Sequence, residues 1–220
     1  MRKFGVTGLI VFLLTVTATG SGAVVLLPGS AELLAGTTSA SRPELAGTVI
    51  VDDLKSFTGI DSYGNIWFSG DLQVRIVRED ISGTLDFYYK ISNSAGSLDG
   101  IERISLSDFT GWDTDVDWRI DGLGSVAPSY ADRQLSGGTV SFNFTNFPGT
   151  PGLVAPGSES RFIFIKTNAT SYTAGSAVLI DGGIASVRAY APALPEAGAL
   201  LLFGTGLIGL VGYRRSRRMQ

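Results

Sequence analysis

Between about residue 48 and residue 190, apolar and polar side chains alternate with a period of two, the pattern of strands with one face in a core and the other in water. Leu72-Gln73-Val74-Arg75-Ile76 alternates cleanly, as do Leu85-Asp86-Phe87-Tyr88-Tyr89-Lys90-Ile91, Val140-Ser141-Phe142-Asn143-Phe144 and Phe162-Ile163-Phe164-Ile165-Lys166. Clusters of Gly, Ser, Asn and Asp at 92–100, 121–125, 136–138 and 146–157 punctuate them as turns. The pattern predicts about eight or nine short antiparallel strands and no amphipathic helix. The expected fold is therefore all-β, a single β-sandwich of jelly-roll or immunoglobulin-like arrangement over 48–190. A body of that length buries roughly 70% of its unfolded surface, so its core needs no disulfides.

The alternation is absent from both ends. After Met1-Arg2-Lys3 the chain runs apolar and uncharged from Phe4 through Val16, then through small residues to Ser21-Gly22-Ala23. A positive start, an apolar stretch of about a dozen residues and a small-residue exit are the layout of a signal peptide, here 1–23 with cleavage after Ala23. Val24-Val25-Leu26-Leu27 prolongs the apolar run, which leaves a later cut or an uncleaved anchor as alternatives. Residues 24–47 are expected as a linker to the body.

At the other end, 197–213 is uncharged and lies between Glu196 and Arg214. As a helix it is about 26 Å long, the short limit for crossing a bilayer. Arg214, Arg215, Arg217 and Arg218 then stop transfer and stay on the cytoplasmic side, which leaves the body outside.

Composition narrows the chemistry sharply. The chain has no histidine and no cysteine, which excludes imidazole bases, thiolate nucleophiles and haem, iron–sulfur or thiolate-zinc sites. Seventeen basic and twenty acidic residues give a net charge of -3, but six of the basic ones stand at the two termini. An acidic body without a basic stripe has no electrostatic term for phosphate backbones, so nucleic acid is not an expected partner. The glycine pattern Gly122-x-Gly124-x-x-Ala127 precedes Pro128, which disfavours the helix that a dinucleotide site requires. No cofactor is expected.

The stretch Trp112-Asp113-Thr114-Asp115-Val116-Asp117-Trp118 sets Asp113, Asp115 and Asp117 on one face of a strand, about 7 Å apart. Three carboxylates so placed are candidate oxygen ligands for Ca²⁺, although Trp118 stands where an EF-hand loop needs glycine. The plainer expectation is a solvated acidic face opposite a packed Trp-Val-Trp face. Tyr63, Trp67, Tyr88 and Tyr130 are candidate stacking surfaces for sugar rings, with most of them expected in the core. A glycan hydrolase working through two carboxylates is the enzymatic alternative.

Ala193-Leu194-Pro195-Glu196-Ala197 stands immediately before the apolar span, which carries Gly204, Gly206, Gly209 and Gly212 among Leu and Ile and ends in Arg214-Arg215-Ser216-Arg217-Arg218. This ordered triplet over 193–218 resembles the PEP-CTERM sorting signal, whose family members are processed by an exosortase. Pro195 and Glu196 match its first two motif positions, and Ala197 stands where the family usually has proline. Leu194-Pro195-Glu196-Ala197-Gly198 also resembles the LPXTG signal of Gram-positive sortases, with alanine in place of threonine. The glycine-punctuated span and the short arginine run favour the former. The resemblance implies a bacterial, non-enzymatic cell-surface or extracellular-matrix protein, held transiently in the inner membrane and then sorted by an exosortase in an exopolysaccharide-producing setting, with extracellular polysaccharide as a candidate partner. The alternative is a membrane-anchored carbohydrate- or calcium-binding adhesion module.

Overall fold

A computed structural model describes residues 22–145 and 152–194. The expected leader up to residue 21, the Pro195-Glu196-Ala197 motif, the span 197–213 and Arg214, Arg215, Arg217 and Arg218 lie outside the described residues. Among the described residues, no helix is long and apolar enough to cross a membrane.

The fold is all-β. Among the described residues, eleven strands pair antiparallel in one curled sheet: β1 (Ala31–Leu33), β2 (Gly47–Ile60), β3 (Ile66–Glu79), β4 (Leu85–Asn93), β5 (Arg103–Leu106), β6 (Asp115–Trp118), β7 (Tyr130–Arg133), β8 (Val140–Asn143), β9 (Ile163–Lys166), β10 (Ser171–Asp181) and β11 (Gly183–Ala193). Their order across the sheet is β1-β7-β8-β5-β10-β11-β2-β3-β4-β9-β6. The sheet is most thinly joined at one corner, where β11 meets β2 through the single pair Ile184↔Ile60.

On one side of that corner, Leu72, Val74 and Ile76 of β3, with Leu85, Phe87, Tyr89 and Ile91 of β4, point inward and are fully buried. They share one core with Ile104, Leu106, Val140 and Phe142 and with Ala177, Leu179, Ala185 and Val187 from the other side. The Tyr89 hydroxyl crosses the core and donates to the Tyr190 carbonyl of β11 at 3.0 Å. The period-two alternation of the sequence is thus the inner and outer faces of a sheet folded over on itself. A second, smaller cluster of Leu45, Val77, Tyr88, Phe162 and Phe164 covers the outer face of β3, β4 and β9.

The expected linker at 24–47 is instead part of the body. Val25 bridges Asp115 of β6 at one edge of the sheet, while β1 pairs with β7 at the other. The amide of Leu26 donates to the Thr114 carbonyl and that of Thr37 to the Trp118 carbonyl. The segment thereby supplies backbone partners to two strand edges, and Leu26 carries its side chain fully into the core. A run such as Val24-Val25-Leu26-Leu27 has no clear period, so alternation could not mark it as built into a sheet. Gly36 allows the crossing: its φ is +78°, and a Cβ there would lie 2.4 Å from the Trp118 ring.

Candidate functional site

The acidic stretch keeps its predicted faces but not its predicted exposure. Val116 enters the main core and Trp118 packs against it, as expected for one face of β6. At Asp115 and Asp117 the opposite face is covered by the N-terminal segment rather than by water. Asp117 is fully buried, and its Oδ1 accepts the amides of Gly36 and Trp118, each at 2.9 Å. Asp115 accepts the Val24 amide at 2.9 Å and both terminal nitrogens of Arg42. Asp113 is exposed and accepts the Asn168 side-chain amide at 2.9 Å. The three carboxylates are drawn to three separate sets of protein donors, and no group of three potential ligands stands together among the described residues. The expectation of a calcium triad or a solvated acidic face gives way because 24–45 lies over Asp115 and Asp117 and brings their donors, while Asn168 serves Asp113.

Behind this stretch, Arg133 of β7 is almost completely buried, at 5% exposure. Its guanidinium donates to the carbonyls of Gly137, Leu26, Phe109 and Trp112 and to the Thr114 hydroxyl, at 2.8–3.1 Å. Burial lowers its pKa from the ordinary arginine value, with the charge of Asp113 acting the other way. Arginine has five N–H donors and no acceptor, so a cage of oxygens satisfies it without a carboxylate in contact.

Arg133 also helps line a cleft of about 630 Å³ whose rim carries Leu27, Pro28, Trp112, Asp113, Lys166 and Asn168. An apolar rim with a few convergent polar groups is the ordinary make-up of a small-molecule site. Asp113 and Asp115, the carboxylates in this lining, both already accept protein donors. A second cleft of about 570 Å³ runs past Leu45, Val49, Arg75, Tyr88, Arg119 and Asp121.

Outside both clefts lies an ionisable group that alternation alone does not reveal. Asp86 of β4 is fully buried, and among the described residues neither carboxyl oxygen has a hydrogen-bond donor facing it. Burial, reinforced by the charge of Glu79, pushes its pKa up to about 9. At neutral pH Asp86 therefore keeps its proton and can donate it to Glu79. Glu79 is itself held ionised: burial opposes its charge, but Lys166 and Ser82 donate to its two oxygens and bring its pKa below the usual glutamate value. Neither Glu79 nor Asp86 lines either cleft. The sequence signal for this burial is Tyr88, Phe162 and Phe164, large aromatics on what alternation would call the outer face.

Of the candidate sugar-stacking aromatics, Tyr63 is exposed in the turn between β2 and β3, Tyr88 is buried, and Trp67 and Tyr130 are half-buried. Tyr63 lines neither cleft; Trp112, which does, is half-buried at the first. At the C-terminal exit, β11 stays paired to its last residue, Ala193 opposite Ser171, and Leu194 projects at 78% exposure. No protein-family model, curated protein or solved structure matches this chain.

Proposed function

We propose that this protein is an exported, non-enzymatic β-sandwich, delivered by an N-terminal signal peptide, held in the inner membrane by 197–213 and sorted to the cell surface or extracellular matrix by an exosortase-type transpeptidase at Pro195-Glu196. The observation that carries the reading is the order of three features at the C-terminus: a Pro-Glu site, a glycine-punctuated apolar span and an arginine-rich end. One feature of the folded body and one of the sequence agree with it. Strand β11 hands the chain directly to the motif through the exposed Leu194. Proline also keeps the residue before it out of helix, which presents the chain in the extended form a transpeptidase requires.

The test is replacement of both Pro195 and Glu196 by alanine, followed by the intact mass of the membrane and exported fractions. The variant is expected to accumulate as a full-length membrane form that still carries Arg214, Arg215, Arg217 and Arg218. Unchanged processing would overturn the sorting reading.

The first cleft favours a second reading, a carbohydrate-binding adhesion module. Trp112 offers a flat apolar face beside Asp113 and Asn168, a combination suited to a sugar's C–H face and hydroxyls. Glycan-array binding that is abolished by Trp112→Ala, with the thermal midpoint retained, is the expected result if this module operates.

A further inference from the structure

We infer that removal of the leader completes the fold, because the α-ammonium created at Val24 becomes a structural cation paired with Asp115. The inference rests on the export reading, in which a membrane-bound signal peptidase cuts between Ala23 and Val24. Water adds across that amide; Ala23 departs as a carboxylate with the leader, and the Val24 nitrogen takes up a proton.

Among the described residues, pairing begins at that bond. Gly22 and Ala23 are exposed and belong to no strand or bridge. Among the described residues Val24 is the first built in: its nitrogen lies 2.9 Å from Asp115 Oδ1, and its carbonyl accepts the Val116 amide at 2.9 Å. Two residues on, Leu26 is fully buried, and its carbonyl accepts from Thr114 and from Arg133. A cut beyond Leu26 would therefore strip a core side chain and open the segment that serves both sheet edges. Val24 is the last start that leaves these contacts whole.

The charges around Asp115 have room for one more cation. Arg42, itself nearly buried, lies between Asp115 and Glu44 and pairs with both. One cation against two carboxylates leaves a single negative charge. Lys166 and Glu79 nearby neutralise each other, and Asp86 keeps its proton. In the uncut chain the donor to Asp115 Oδ1 is a neutral amide; in the cut chain the same nitrogen is an ammonium, and a charge-assisted bond is about twice as strong.

The test begins with N-terminal sequencing of the exported protein, expected to start at Val24. It continues with a thermal-unfolding cycle in detergent on four full chains running to Gln220, beginning at Val24 or at Gly22, each with Asp115 or with Asp115→Asn. Loss of the Arg42 pairing is common to both Asn chains and cancels in the cycle. Retaining Gly22 and Ala23 is expected to lower the midpoint by about 2–4 °C when Asp115 is present, and to change it little in the Asn background. As a second measure independent of the variant, the Val24 α-amine should acetylate several-fold more slowly in the native protein than the free α-amine of the Gly22 chain. A start at Val24 with equal midpoint losses in both backgrounds and equal acetylation rates overturns the pairing and leaves the export reading standing. A start at any other residue overturns the leader boundary and the pairing together.

Discussion

Arg133 and Asp86 are both buried ionisable side chains in strands of the same sheet, and they resolve the cost of burial in opposite ways. Arg133 keeps its charge because loops and the N-terminal segment aim four carbonyls and a hydroxyl at it. Asp86 has no donor facing it among the described residues and becomes neutral. Both are closed to solvent, but Arg133 stands in the wall of a cleft and Asp86 lies deeper, so depth and the supply of dipoles act together. Five oriented oxygens replace the water that a guanidinium loses, whereas a carboxyl set between a sheet face and aromatic rings meets nothing that replaces its own.

The sharpest way to break the comparison is to remove the cation from its cage. Arg133→Met leaves several carbonyls without a donor and loosens the hold on Leu26, so the expected loss is about 3–5 kcal/mol, read from the urea midpoint at unchanged slope. Arg133→Lys, with three donors instead of five, should recover only some of it. If Met costs less than about 1 kcal/mol, water has entered the cage and the contrast with Asp86 disappears.

Leu26→Ala asks whether the segment that completes the cage belongs to the core. A cavity cost of about 2–4 kcal/mol is expected in the same measurement, against about 0.5 kcal/mol or less for the exposed neighbour Leu27→Ala. Similar small losses at both positions would restore 24–47 to a linker.

The third effect is graded with pH, each unit moving stability by less than either Arg133→Met or Leu26→Ala. The folded-state pKa of Asp86, about 9, lies above its ordinary value of 3.8, so between those values the folded protein holds a proton that the unfolded chain has released. Stability from this group is therefore fully present below about pH 4 and falls as pH rises towards 9. Asp86→Asn removes the titration. Relative to the parent it should gain on the order of 1 kcal/mol per pH unit from pH 5 to pH 8 and change little at pH 4. A flat difference across that range would mean that Asp86 is ionised in the fold.

How far these sites are legible in the sequence follows from what alternation encodes. It reports which side of a strand meets the central core, and Leu72, Val74, Ile76, Phe87, Tyr89 and Ile91 are where it places them. It is silent on what covers the second face. Asp86 and Asp117 therefore read as solvated positions, until Pro43–Leu45 and the 24–37 segment are seen to lie over them. Arg133 carries no local signal, because its partners come from residues 26, 109, 112, 114 and 137 and meet only in the folded chain. Strand β2, with its mostly exposed run from Gly47, is hidden for a related reason: its outer edge touches β11 at one pair, so few of its positions are compelled to be apolar.

The long ladder between β10 and β11 also decides how the body responds to force. A pull on Leu194 enters at the Ala193–Ser171 rung, the first of eleven that end at the Gly182 turn. Drawn sideways, those rungs open in succession and Val187 and Ala185 are peeled from the interior in turn; drawn along the strand axis, all eleven bear the load together in shear. The direction of tension at this one residue therefore decides whether the β10–β11 hairpin unzips or shears.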